Sequence, residues 1–147
     1  MKIALKILEN ARGMELPSYA TSGSAGVDLR AAVFESIVLK KRKRALIPTG
    51  LAMAISHGYN GEIRSRSGLA YRNGVVVLNS PGTIDADYRG EIKVLLINLS
   101  DEDFLLERGM RIAQLLIQRY ETIDWDVVDS LDDTDRSSGG YGSTGVK

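Results

Sequence analysis

Between two glycines, the stretch Gly82-Thr83-Ile84-Asp85-Ala86-Asp87-Tyr88-Arg89-Gly90 sets two carboxylates, an aromatic ring and a guanidinium side by side. Asp and Gly in a turn most often serve the turn alone. A polar segment pinned by Pro81 and by Gly74, Gly82 and Gly90 is instead shaped to hold a ligand. The tail of the chain points to the kind of ligand. There Arg136 leads into Gly139-Gly140-Tyr141-Gly142-Ser143-Thr144-Gly145. Glycines let backbone N–H groups converge on an anion, and an arginine adds a two-pronged phosphate contact. This is not a Walker A loop, because no lysine directly follows the paired glycines and no helix follows the motif. It reads as an arm that closes over a ligand.

Three further segments mix glycine, small side chains and a charged or amide group: Ser24-Ala25-Gly26-Val27-Asp28-Leu29, Arg66-Ser67-Gly68-Leu69-Ala70, and Gly109-Met110-Arg111-Ile112-Ala113-Gln114-Leu115. With the two above they make five. In that order and spacing they resemble the five motifs of the trimeric dUTP pyrophosphatases (dUTPases), and the resemblance runs from Ala25 to Gly145. It implies Mg²⁺-assisted hydrolysis of dUTP to dUMP and pyrophosphate, which keeps uracil out of DNA and supplies dUMP for thymidylate synthesis. It also implies a homotrimer with active sites at subunit boundaries. The motifs around Asp28, Arg66 and Gln114 would come from one chain, the Asp85 hairpin from a second and the Gly-rich arm from a third.

Cleaving a nucleoside triphosphate between its α and β phosphates requires an activated water, neutralisation of the phosphate charge and a pocket for the base. Asp85 is the candidate general base, since a carboxylate held in a rigid loop can orient a water and accept its proton. Asp87 better fits a carboxylate that caps its own turn. Tyr88 is the candidate sugar discriminator: a ring flat against deoxyribose leaves no room for a 2′-hydroxyl. By resemblance, the hairpin from Asn79 to Lys93 reads uracil through the Asn79 side chain, backbone groups at Gly82, Thr83 and Ile84, and a main-chain contact at Lys93. Phosphate binding falls to Arg66, Ser67, Gly68 and Gln114, with a fork of guanidinium donors and shorter hydroxyl and N–H donors. From the arm the resemblance adds Arg136, Gly140, Tyr141, Gly142 and Ser143, with Tyr141 stacking on uracil where phenylalanine is usual. It places Asp28 near the metal and acting through water, the Mg²⁺ being held mainly by substrate phosphates. Three further positions depart from the family pattern: Val27 for an aromatic residue, Ser65 for proline and Ser137 for glycine. His57 has no second imidazole to pair with and takes no role, while Arg64 reads as a salt-bridge residue.

The elements that must position these residues are short. Apolar runs at Ile3–Leu8, Ile37–Leu39, Ala45–Ile47, Leu51–Ile55, Val75–Leu78, Ile92–Leu99, Phe104–Leu106 and Ile112–Ile117 alternate with Gly-, Pro- and Asn-rich turns. That pattern predicts an all-β fold, a distorted jelly-roll barrel, with at most one helical turn at Ser67–Tyr71. Residues 1–135 form the expected barrel domain and residues 136–147 the arm. The run Lys40-Lys41-Arg42-Lys43-Arg44 reads as a solvated hairpin edge. The seven acids between Glu121 and Asp135 suit a solvated connector, in which Trp125 is expected to pack at a strand end.

The 147 residues suffice for one domain with a real core. Lys plus Arg equals Asp plus Glu at 19 each, so the chain lacks the basic excess of a sequence-independent nucleic-acid binder. With no cysteine, disulfides and thiolate metal sites are excluded. Met1 to Leu8 carries no uninterrupted apolar stretch, so no signal peptide or membrane span is expected and the cytoplasm is the default. Two rivals share the fold. A dCTP deaminase, or a bifunctional deaminase–dUTPase, would need a group activating water at C4 of the base, and the Gly82–Gly90 hairpin and Tyr141 tail fit the pyrophosphatase better. A non-catalytic nucleotide-sensing or capsid-like jelly roll could lose Asp85 or Arg136, and both are present.

Overall fold

In the computed structural model, residues 1–140 are described. They form eleven strands and one short helix: β1 (Ala4–Ile7), β2 (Val27–Arg30), β3 (Ile37–Leu39), β4 (Arg44–Pro48), β5 (Leu51–Ala54), β6 (Tyr59–Arg64), α1 (Ser67–Asn73), β7 (Val75–Val77), β8 (Gly82–Ile84), β9 (Lys93–Asn98), β10 (Phe104–Leu106) and β11 (Arg111–Arg119). A single 3₁₀ turn spans Glu9–Ala11. The expected all-β, jelly-roll class holds. The strands pair as four separate antiparallel sheets, β1-β5, β3-β10, β2-β11-β6-β8 and β4-β9-β7, and among the described residues no ladder closes them into a continuous barrel.

Short β-branched runs bury one face each. Inward positions of β2, β4, β7, β9, β10 and β11 meet in one core, where Leu29, Ile47, Val75, Val94, Leu96, Leu106 and Ile112 are essentially inaccessible. Two polar side chains share that interior and both are satisfied. Thr49 Oγ1 donates to the Ile92 carbonyl at 2.6 Å. Asn98 Nδ2 donates to the carbonyls of Leu39 and Glu102, while its Oδ1 accepts from Ser100 N–H and Oγ–H. An amide so fully bonded locks the β9–β10 turn against β3 at no cost in orphaned donors.

Three local expectations change. The runs flanking the Gly82–Gly90 segment do pair as antiparallel neighbours, Val75 opposite Asn98 and Val77 opposite Leu96. The intervening segment is more than a loop, because Gly82–Ile84 crosses to the other sheet and pairs with β6. Trp125 does not pack at a strand end: residues 121–135 form no strand, and Trp125 is 80% exposed. Without a partner strand among the described residues, its alternating apolar residues have nothing there to pack on. Among the described residues Asp87 caps nothing either; the turn is tied by Arg89 Nη1, which donates to the carbonyls of Ala86 and Tyr88 at 2.6 and 2.8 Å.

The basic turn is solvated as expected, but it closes no hairpin: β3 pairs with β10 and β4 with β9, so the turn links two sheets, with Arg42 in the left-handed region at φ 59°. Across from it, Asp101 takes Arg42 and Asp103 takes Lys40. The Lys40 side-chain bond, and then the Lys41 N–H, hold the Asp103 carboxyl below its ordinary range. A carboxylate lowered by folding supports the turn above its ordinary pKa, and that support is lost as pH falls through the lowered value.

Candidate active site

Two clefts carry most of the predicted residues, and they share no side chain. The first lies where β2, β11 and the β6–α1 junction meet, a cavity of about 330 Å³ lined in part by Asp28, Arg66, Ser67, Gly68, Arg111 and Gln114. Pairing explains the convergence: Gln114 sits opposite Asp28 on one side and Arg64 on the other. Residues directly opposite on adjacent strands project from the same face. Gly26 lets the strands close here, because a Cβ at this position would lie 2.9 Å from Gln114 Oε1. Gln114 Nε2 in turn donates to the Ser65 carbonyl at 3.0 Å, fixing the loop that presents Arg66. Ser65 also accepts the Val77 N–H on its Oγ at 2.9 Å, a bond that proline could not supply.

Asp28 is only half-buried and faces two guanidiniums. Arg66 Nε donates to Oδ1 at 2.8 Å and Arg111 Nη1 to Oδ2 at 3.1 Å. With two cations against one anion among its charged lining groups, the cleft suits an anionic ligand. Among the described residues, no group of three His, Cys, Asp or Glu side chains is placed to hold a metal ion. Each Asp28 oxygen, having accepted one bond, keeps a lone pair for a water, which fits an outer contact to such an ion.

The second cleft, about 280 Å³, is lined by Leu46, Thr83, Ile84, Asp85, Tyr88, Glu91 and Lys93. Asp85 follows β8 immediately and its carbonyl accepts the Tyr88 N–H at 3.2 Å, closing a tight turn. Its carboxylate is exposed and accepts no bond from the described residues. Tyr88 lies back over Gly90 and donates its hydroxyl to the Glu91 carbonyl at 3.0 Å. Asn79 and Gly82 do not line this cleft; they meet each other, with Asn79 Nδ2 3.2 Å from where a Gly82 Cβ would stand. Lys93 reaches Glu91 at 3.7 Å.

Arg136 and Gly140 line neither cleft. Arg136 Nε donates to the Gly139 carbonyl at 3.1 Å, and Ser137 holds a left-handed φ of 43°, a conformation natural to the glycine it replaces. Tyr141, Gly142 and Ser143 lie outside the described residues. Arg64 pairs with Glu62 as expected, and His57 meets the Tyr120 ring edge-on. The residue that sequence reasoning left unassigned is Arg111: it stands three positions before Gln114, on the opposite face of any regular strand.

The model of the dUTPase family matches residues 12–145. The chain belongs to the dUTPase family. It is thus a hydrolase, of a family that fits both the cation-lined cleft and the carboxylate-bearing turn. At the sequence level it is 57% identical to the deoxyuridine 5′-triphosphate nucleotidohydrolase of Rickettsia felis over 145 residues, covering 99% of this chain and 97% of that protein. It is 51% identical to the enzyme of the same name from Orientia tsutsugamushi strain Ikeda, over the full length of both. Among solved structures it resembles a mutant dUTPase of Staphylococcus bacteriophage 80alpha with dUpNHpp, at 28% identity and a TM-score of 0.84 over 99% of each chain.

Proposed function

We propose that this member of the family hydrolyses dUTP to dUMP and pyrophosphate in the cytoplasm, as a homotrimer whose sites lie between subunits. One observation carries the reading: the phosphate-type residues and the Asp85–Tyr88 turn occupy separate clefts of a single chain. Neither half is sufficient. Joining the first cleft of one subunit to the second cleft of its neighbour brings cations, general base and sugar-facing ring around one nucleotide. Exposed apolar side chains at Ile123, Trp125, Val127 and Leu131 give the assembly a surface to bury before the arm begins.

In this arrangement Arg66, Ser67, Gly68 and Gln114 bind the phosphate chain. Asp85 orients a water toward the α-phosphate and takes its proton, and no bond within the turn competes for that carboxylate. Tyr88, fixed through Glu91, presents its ring to the deoxyribose. Asn79 with the backbone of Gly82, Thr83 and Ile84, and the main chain at Lys93, recognise uracil. Arg136, Gly140, Tyr141, Gly142 and Ser143 cover the nucleotide from a further subunit. When bound, Mg²⁺ would neutralise charge on the phosphates, with Asp28 touching its water shell.

Incubation with Mg²⁺ and, separately, dUTP, dCTP, dTTP and UTP tests this, with nucleotide and phosphate products resolved. dUMP and pyrophosphate from dUTP alone are expected. Ammonia and a uracil nucleotide from dCTP would move the chain to the deaminases, and turnover of none would leave a binding protein.

A further inference from the structure

We propose that Arg111 is a second phosphate-binding arginine, swung into the cleft by a β-bulge and steadied there by Asp28. Side chains three positions apart on a regular strand point to opposite faces. On β11 the pairing with β2 slips between Arg111 and Ala113. Ile112 and Ala113 both turn into the core, at 1% and 0% exposure, and Arg111 and Gln114 consequently line the same cleft. A bulge forfeits a ladder pairing, and bulges recur where a side chain has to be re-aimed.

Two details separate a ligand-binding role from that of a mere counter-ion. Asp28 already has a charge partner in Arg66, which approaches more closely, at 2.8 Å against 3.1 Å. Arg66 is also the more committed of the two: its Nε serves Asp28 and its Nη1 the Arg111 carbonyl. Arg111 offers one bond to Asp28, leaving about four of its five N–H donors for a ligand. Its side chain is 49% exposed where that of Arg66 is 25% exposed. The cleft thus holds one anchored guanidinium and one with most of its donors open. A polyphosphate, with more negative charge than one arginine can neutralise, suits that pair. The inference rests on the reading of this cleft as the seat of the phosphate chain.

Inorganic pyrophosphate and tripolyphosphate, which carry no uracil, are the probes. Their affinities, and that of dUMP, would be measured by calorimetric titration for the full-length protein and for Arg111→Gln and Arg111→Lys, beside dUTP kinetics and thermal melts. Arg111→Gln should weaken both probes about tenfold or more and raise KM for dUTP while kcat changes far less. Its dUMP affinity and its melting temperature should stay near the original, since Asp28 keeps Arg66. Arg111→Lys should recover part of the lost affinity through its charge, and it decides the matter if the Gln variant fails to fold. Equal weakening of dUMP and the probes would mean that Arg111 merely props the cleft, and unchanged probe affinity would remove it from the site; either overturns the proposal. An unmodified protein that binds tripolyphosphate but turns over no nucleotide would sink the proposed reaction and leave the Arg111 assignment standing.

Discussion

Asp85 and Tyr88 sit three residues apart on one turn, and each depends on a different local device. Asp85 is presented by the end of β8 with its carboxylate unengaged, so a base role asks only that the turn hold its place. Asp85→Asn keeps the shape and removes the proton acceptor. Turnover of dUTP should fall about 10²- to 10⁴-fold with nucleotide affinity little changed; single-turnover kinetics beside equilibrium titration of a non-hydrolysable analogue would check both halves. Tyr88 depends on the absence of a side chain at Gly90. A Cβ there would stand 2.4 Å from Tyr88 Oη and 2.7 Å from Cζ. Gly90→Ala must therefore lift the exposed ring and break its bond to the Glu91 carbonyl. If the ring excludes ribose, the preference for dUTP over UTP, taken as a ratio of kcat/KM values, should drop about tenfold. An unaltered ratio would relieve Tyr88 of that role.

At the scale of elements, Ser65 joins strands that sequence separation would keep apart. Its Oγ takes the N–H of Val77 on β7, and its carbonyl takes the side chain of Gln114 on β11. Val77 is 3% exposed, so its amide has no water to turn to. Ser65→Ala should cost about 1–3 kcal/mol, the desolvation penalty of an orphaned buried donor. Urea unfolding would show it as a lower midpoint at constant slope, and an unmoved midpoint would mean that the amide finds another acceptor. The departure at position 65 thus exchanges the rigidity of a proline ring for a cross-strand bond. β11 shows a second lesson of this scale. Its apolar run predicts a strand, but no count of alternating residues announces the bulge that puts Arg111 beside Gln114.

At the scale of the whole molecule, the proposed site is divided between two clefts of one chain that share no side chain. If Asp85 and Arg66 serve one nucleotide from different subunits, two inactive variants should complement each other. Subunits of Asp85→Asn and Arg66→Gln, each nearly inert alone, would be unfolded together and refolded as a mixture. Random assembly pairs an intact Arg66 with a neighbour's intact Asp85 in about a quarter of the sites, so about a quarter of the original activity should return. No recovery, from a mixture shown to have exchanged subunits, would place both residues in the site of one chain. Much of this protein was legible in residue types alone. The five glycine-bearing segments marked the family, short β-branched runs marked an all-β fold, and local chemistry dictated both because each depends on neighbours within a few positions. Tertiary structure decided the rest. It sent Gly82–Ile84 across to β6, left Trp125 exposed, and slipped β11 so that Arg111 shares Asp28 with Arg66. Those outcomes depend on which strands pair and in what register, and a one-residue change of register reverses the face of every side chain beyond it.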